Sequence, residues 1–172
     1  MINLIKKFVR RKIYYKGPYK NWAIAKDNSV GYDSKEILQK VTKSALSVKN
    51  TKKGYERDSV ISYQIDIDEY LLKIFQSYSD KKNKSINILD FGGSLGSLYF
   101  KYKDKIKNKF NWSIIEQKNF VIEGKRNFQN NELNFFNNIQ EYKNIFLPNI
   151  IIASSSLQYL ERYQELLKDM LN

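Results

Sequence analysis

From Ile86 onward the chain alternates short apolar runs with amphipathic stretches, and this order constrains the fold more than any other feature. Ile86–Leu89 reads as a short strand closed by Asp90. A glycine-rich turn, Phe91–Gly96, leads into a helix carrying Leu98, Tyr102 and Ile106. Trp112–Ile115 reads as a second strand ending in Glu116-Gln117, and Phe120–Phe128 as a helix. Leu133–Phe136 is a third strand and Ile139–Phe146 a short helix or turn. Pro148 precedes Asn149–Ala153, the most apolar strand of the chain. Ser154–Ser156 forms the next turn, and Leu157–Leu171 is expected as a helix capped by Ser155 or Ser156. Alternating strands and helices predict an α/β fold, a Rossmann-like sheet of about four parallel strands with right-handed crossovers.

The residues before Ile86 differ in character. The first twenty hold Lys6, Lys7, Arg10, Arg11, Lys12, Lys16 and Lys20 and no acid, so they supply +7 of the net charge of +12. Ile2, Ile5, Val9 and Ile13 share one face at helical spacing. Such a helix fits an anionic membrane surface. A self-packing helix with solvated lysines is the favoured alternative, since one short helix binds lipid weakly. Gly17-Pro18 breaks the segment. Asp33 is expected to cap a helix, with Glu36 in the capping-box position and Ile37, Val41 and Val48 at helical spacing. A further helix is expected from near Asp66 to about Tyr78, with Ile67, Leu71, Ile74 and Tyr78 on one stripe. The reading is therefore a basic segment over 1–20, a helical cap or lid over 21–84, and a partial Rossmann-like domain over 85–172.

Composition removes several chemistries. With no cysteine and no histidine, a thiolate nucleophile, a disulfide scaffold, a cysteine-ligated metal and the commonest general base are all excluded, and no metal site is expected. Protons can move only through a carboxylate, tyrosine, lysine, water or the substrate. Of 30 basic residues 25 are lysine, beside 18 asparagines and 20 isoleucines, a bias typical of AT-rich codons. Nucleic-acid sites favour arginine where bidentate contacts matter, so nucleic acid is not the favoured partner. No apolar run is long enough to span a membrane and Met1–Ile13 carries no continuous apolar core of a secretory signal. The expected location is the cytoplasm, with the inner face of the membrane as the surface the basic segment would meet.

Open parallel sheets bind ligands at the carboxyl ends of their strands. Three such ends are polar here. The first is Asp90-Phe91-Gly92-Gly93-Ser94-Leu95-Gly96, where glycines let the backbone approach a ligand and the next helix offers free N–H groups. The second is Glu116, able to accept two hydrogen bonds from a ribose diol. The third is Ser154-Ser155-Ser156, expected across the sheet from the second. A glycine turn alone is weak evidence, but an acid ending the next strand makes an adenosine-containing cofactor the better reading. The loop lacks the dinucleotide pattern G-x-G-x-x-G, and no Gly-Lys-Ser/Thr follows for a P-loop. S-adenosyl-L-methionine is the remaining common option. The turn resembles the first motif of methyltransferases: Asp90, Gly92 and Gly96 match it, while Ser94 stands where the middle glycine usually is. The cofactor-binding set is Asp90, Gly92, Gly93, Ser94, Gly96, Glu116, Ser154 and Ser155.

The resemblance extends further. Trp22-Ala23, Ser29–Asp33, Tyr55-Glu56-Arg57-Asp58-Ser59-Val60, Leu89–Ser97, Trp112 with Glu116-Gln117, and Ser154–Leu160 together resemble a family taken on its fold to be methyltransferases. Its genes lie in bacterial O-antigen and capsule clusters. The likeness covers nearly the whole chain from Trp22, and Ser94 is shared with that family. It implies an S-adenosylmethionine-dependent enzyme that O-methylates a sugar of a surface-polysaccharide precursor, with a small-molecule or glycan acceptor as partner. Glu56 or Asp58 would act as base toward the hydroxyl, and Tyr55, Arg57, Gln158 and Tyr159 would face the acceptor. The bland alternatives are a cap with a surface ion pair for Tyr55–Val60, and helix-surface and core positions for Gln158 and Tyr159.

Methyltransferases of this class resemble a seven-stranded sheet, so this chain is expected to be the N-terminal part only. Ile150–Ala153 is expected to be central, with a neighbour on each side. Residues 1–172 alone are expected to be inactive and to self-associate, or to require a complementing C-terminal fragment. Two other function classes remain: a non-catalytic cofactor- or partner-binding fragment, and a protein that methylates or binds nucleic acid.

Overall fold

The computed structural model describes residues 16–29, 34–79 and 85–172. The expected N-terminal amphipathic helix over Met1–Ile13 lies outside the described residues, as do the proposed cap Asp33 and the motif residues Val30, Gly31 and Tyr32. The chain divides into two units, Met1–Gly31 and Tyr32–Asn172. The first contains α1, Trp22–Asp27. The Asn21 side chain accepts from the Ile24 N–H at 3.0 Å, and Asn28 Nδ2 donates back to the Ile24 carbonyl at 2.8 Å. One short helix is thus closed at both ends by asparagine.

In the second unit, α2 spans Lys35–Thr51 and buries Val41, Ala45 and Val48, three positions on one stripe. Its N-cap is Ser34, whose side chain makes no capping bond, and Glu36 pairs with Lys40 one turn on at 2.6 Å. The helix ends at Lys52 in the left-handed region. A hairpin follows where the pattern suggested only a lid segment: β1, Tyr55–Arg57, pairs antiparallel with β2, Val60–Ser62. Arg57 faces Val60, so the turn has two residues, Asp58 and Ser59, both at positive φ as the tight hairpin turn requires. α3 spans Glu69–Ser79. Asp68 caps it by accepting from the N–H groups of Tyr70 and Leu71 at 2.9 and 3.1 Å.

The sheet comprises β3, Ile86–Phe91, then β4, Phe110–Ile115, β5, Leu133–Phe136, and β6, Ile150–Ile152. Its order is β5-β4-β3-β6 and every pairing is parallel. The helices between are α4, Ser97–Tyr102, α5, Lys118–Asn127, and α6, Ile139–Lys143, with α7, Tyr163–Leu171, last. Strand register alternates the two cores. Ile86, Ile88, Trp112 and Ile114 face the larger one, with Val41, Phe75, Tyr99, Tyr102 and Phe120 from α2 to α5. Leu89, Ile115 and Phe136 face the smaller one, with Ile139, Tyr142 and Met170 from α6 and α7. Phe75 carries α3 into this packing, its ring centroid 5.5 Å from Tyr102 and 5.6 Å from Trp112. The arrangement is an α/β three-layer sheet, compatible with a Rossmann-like fold.

Several boundaries differ from expectation. α4 stops at Tyr102 and passes through a 3₁₀ turn, Lys103–Lys105, so Ile106 lies beyond it. The last expected helix splits. Leu157–Tyr159 is a 3₁₀ turn, Leu160 is extended, and α7 begins only after Arg162, so neither Ser155 nor Ser156 caps it. Among the described residues β6 pairs with β3 alone, and β3 and β4 are the central strands. No helix among the described residues is long and apolar enough to cross a membrane.

Candidate functional site

The chain runs from β3 outward to β4 and β5, then returns across the sheet to β6 on the other side. The direction of winding reverses between β3 and β6, and this reversal opens a crevice at the strands' carboxyl ends. The glycine turn after β3 sits there, with Glu116 leaving β4 on one side and Ser154–Ser156 leaving β6 on the other.

Two cavities flank that turn. One, of about 360 Å³, is lined among others by Phe91, Glu116, Phe120, Asn137 and Leu160. The other, of about 320 Å³, is lined among others by Tyr55, Arg57, Asp90, Ser154, Ser155 and Gln158. Asp58, Gly92, Ser94 and Tyr159 border both.

The turn is shaped by what lies behind it. A Cβ on Gly92, at φ +73°, would stand 2.5 Å from Ser156 Cβ. Ser156 Oγ in turn donates to the Phe91 carbonyl at 2.9 Å, tying the turns after β3 and β6 together. A Cβ on Gly93 would stand 2.5 Å from Asp90 Oδ2. Both glycines are required by close approach, and no side chain can replace them without moving backbone or a buried carboxylate. Asp90, 1% exposed, projects to the larger-core face, where the Trp112 indole N–H donates to its Oδ2 at 3.1 Å. Burial pushes its carboxyl up to about 7; the indole bond opposes this and the Glu116 charge adds to it.

Glu116 is positioned by backbone. Its Oε1 accepts from the Ser94 N–H at 3.3 Å and its Oε2 from the Gln117 N–H at 2.8 Å. Burial pushes its pKa up, and those two bonds pull it down. Each oxygen keeps a lone pair for another donor, so two adjacent hydroxyls can be received. Asn137, just past β5, was not singled out from sequence. Its backbone N–H and its Nδ2 both donate to Glu141 Oε2 at 3.0 Å. Glu141 accepts only, which fixes the amide orientation and leaves Asn137 Oδ1 as the acceptor available to the cavity.

No protein-family model, curated protein or solved structure matches the chain. The site is therefore characterised by its own chemistry. Twelve of the fourteen residues expected from sequence line one cavity or the other. Gly96 does not; at φ +99° and buried, it shapes the entry to α4. Glu56 does not either. It is 4% exposed, accepting from the Ser59 N–H at 2.8 Å and from Ser97 Oγ at 2.7 Å, so it joins the hairpin turn to the start of α4. Both carboxylate oxygens are engaged within the protein, and the expectation that Glu56 meets an acceptor hydroxyl is not matched by its position. Asp58 reaches the cavities instead. Sequence reasoning placed Ser156 in the third polar strand end but missed Phe120, Asn137 and Leu160 as lining groups. Asn137 alone offered a signal, its position directly after the predicted strand Leu133–Phe136.

Among the described residues lining either cavity, Arg57 is the one cation, against the acids Asp58, Asp90 and Glu116. Among these described lining residues the acids outnumber the cations, which favours a ligand rich in hydroxyl donors or carrying positive charge.

Proposed function

We propose that the chain binds S-adenosyl-L-methionine at these cavities as part of a methyltransferase acting on a sugar hydroxyl of a surface-polysaccharide precursor. The observation that carries the cofactor is the glycine turn set between two carboxylates at the ends of adjacent parallel strands. Glu116 would receive the ribose hydroxyls, Asn137 Oδ1 an amino group of the base, and Phe120 the face of an apolar ring. The turn from Gly92 to Ser94 would admit the rest of the molecule. When bound, the cofactor supplies an electrophilic methyl group on a sulfonium. The acceptor class rests on the family resemblance. Tyr55, Arg57, Gln158 and Tyr159 border the cavity away from Glu116, where an acceptor would enter. Asp58 Oδ1 or Oδ2 would take the hydroxyl proton, and alignment of donor and acceptor would supply most of the rate.

Titration calorimetry on the 172-residue chain is the test, with S-adenosylmethionine, its demethylated product and NAD as ligands. The first two are expected to bind and NAD not to. Glu116→Ala is expected to weaken cofactor binding by about 1.5–3 kcal/mol, the cost of losing charged hydrogen bonds. Binding of NAD without binding of S-adenosylmethionine overturns the reading.

A further inference from the structure

Asp90 is 1% exposed, yet it stands in the wall of the 320 Å³ cavity beside Gly92, Gly93 and Ser154. A Cβ on Gly93 would lie 2.5 Å from its Oδ2 and 3.0 Å from its Oδ1, so only the bare glycine backbone covers it. Among the described residues its carboxyl receives one hydrogen bond, from the Trp112 indole N–H to Oδ2 at 3.1 Å, and makes no ion pair. A carboxyl out of water with one neutral donor is disfavoured as an ion. The surrounding elements supply no counter-charge. Glu116, ending β4, is an acid and adds repulsion. Glu56 on β1 is an acid held by Ser59 and Ser97. Tyr99 and Tyr102 of α4 are neutral, with their hydroxyls engaged by Glu132 and by the Asp68 N–H. β6 and the turn after it bring only isoleucine, alanine and serine. The hairpin side of the cavity brings Tyr55, Arg57 and Asp58, and Arg57 lies exposed with its Nε 3.9 Å from Asp58 Oδ2. Burial accordingly holds Asp90 at about 7.

We propose that loading of this cavity is coupled to release of a proton from Asp90, which is a neutral carboxyl in the empty site and a carboxylate beside the ammonium group of a bound ligand. The Oδ–H bond breaks and the proton leaves to solvent, while the ammonium keeps its three hydrogens and supplies the counter-charge that the fold withholds. This rests on the S-adenosylmethionine reading of the same cavities, since the amino-acid end of that cofactor and of its demethylated product carries such an ammonium. The coupling narrows the ligand class to adenosine compounds with a primary amine and makes affinity rise with pH until Asp90 ionises unaided.

Calorimetry of the full chain at pH 6, repeated in two buffers of different ionisation enthalpy, counts the protons released. S-adenosylmethionine and its demethylated product are each expected to release most of one proton and to bind about fivefold more weakly at pH 6 than at pH 7. 5′-Methylthioadenosine has the same adenosine and a thioether but no amino-acid end, and is expected to bind with little release. Its ribose still reaches Glu116, so this arm separates the two acids. Asp90→Asn keeps an oxygen for the Trp112 indole and is expected to abolish the release and flatten affinity between pH 6 and pH 7. If that variant does not bind, the demethylated product against methylthioadenosine on the unmodified chain decides. S-adenosylmethionine binding without proton release, equal release in Asp90→Asn, or equal release by methylthioadenosine overturns the coupling and leaves the cofactor reading standing. Binding of neither S-adenosylmethionine nor its product to the unmodified chain overturns both.

Discussion

Two turns meet at the cavities, and they solve the same steric problem by different means. Each contains a serine in the left-handed region, Ser94 at φ 56° and Ser59 at φ 67°. Each serine N–H donates to a carboxylate outside its turn, Glu116 at 3.3 Å and Glu56 at 2.8 Å. The turn after β3 surrounds its serine with Gly92, Gly93 and Gly96, so most of its unusual backbone costs nothing in side-chain contacts. The hairpin turn has no glycine, and its conformation is held by Glu56, Ser44 and Ser97 from a distance. A turn built on glycine depends on space, whereas a turn built on buried hydrogen bonds depends on its partners. Substitutions therefore separate the two.

The largest effect is expected at the glycine turn. Gly92→Ala adds a methyl at φ +73° and 2.5 Å from Ser156 Cβ, an atom fixed to backbone. Left-handed strain of about 1–2 kcal/mol adds to a packing cost of about 1–3 kcal/mol. A loss of about 2–5 kcal/mol in denaturant unfolding is expected, together with loss of cofactor binding by calorimetry. A variant as stable as the unmodified chain would show that the turns after β3 and β6 move apart easily.

Next in size is the carboxylate beneath Gly93. Asp90 titrates near 7 when folded against an ordinary value of 3.8, because burial disfavours its charge. Between those values the folded state holds a proton that the unfolded state has released, so stability falls as pH rises from about 4 to about 7 and then levels. The drop is on the order of 2–4 kcal/mol. Glu56 and Glu116 are shifted the same way by burial and add to it. Asp90→Asn keeps an oxygen for the Trp112 indole and is expected to remove most of the slope, raising stability at pH 8. Unfolding free energies at pH 5 and pH 8 check this; an equal slope in the variant would mean that the carboxyl is ionised in the fold.

The sheet was legible because strands buried on both faces read as apolar runs, and Ile86–Leu89, Trp112–Ile115 and Leu133–Phe136 are such runs. Glu116 and Ser154 were legible as polar groups ending those runs. The hairpin was not, since strands of three residues carry too little alternation and its Asp58-Ser59 turn lacks the Asn-Gly or Gly signal. Its conformation depends on Ser97, 41 residues away from Glu56, and no local window contains that bond. Asn137 was hidden for a related reason: its orientation comes from Glu141, which reads as an ordinary residue of the first turn of a helix. The break before α7 was missed because the stretch from Leu157 to Leu171 keeps its apolar spacing through Leu160, where the backbone is extended.

The smallest effect compares the two serines directly. Ser59→Gly removes a left-handed side-chain penalty of about 1–2 kcal/mol but gives the unfolded chain about 0.5–1 kcal/mol of extra entropy. It also loses the bond from Ser59 Oγ to the Asp58 carbonyl, an exposed contact worth little. The expected result is a gain of up to about 1 kcal/mol, a rise in Tm of about 2–4 °C. Ser94→Gly is expected to gain a similar amount, since its φ and its N–H bond to a carboxylate are alike. The two should differ in binding. The bond from the residue-59 N–H to Glu56 is one that glycine keeps, so Ser59→Gly leaves the hairpin turn in place and cofactor affinity unchanged. Ser94 borders both cavities, so removing its side chain there widens the passage between them and alters cofactor affinity. If Ser59→Gly lowered cofactor affinity instead, the turn would owe its rigidity to the serine side chain rather than to the buried carboxylate behind it.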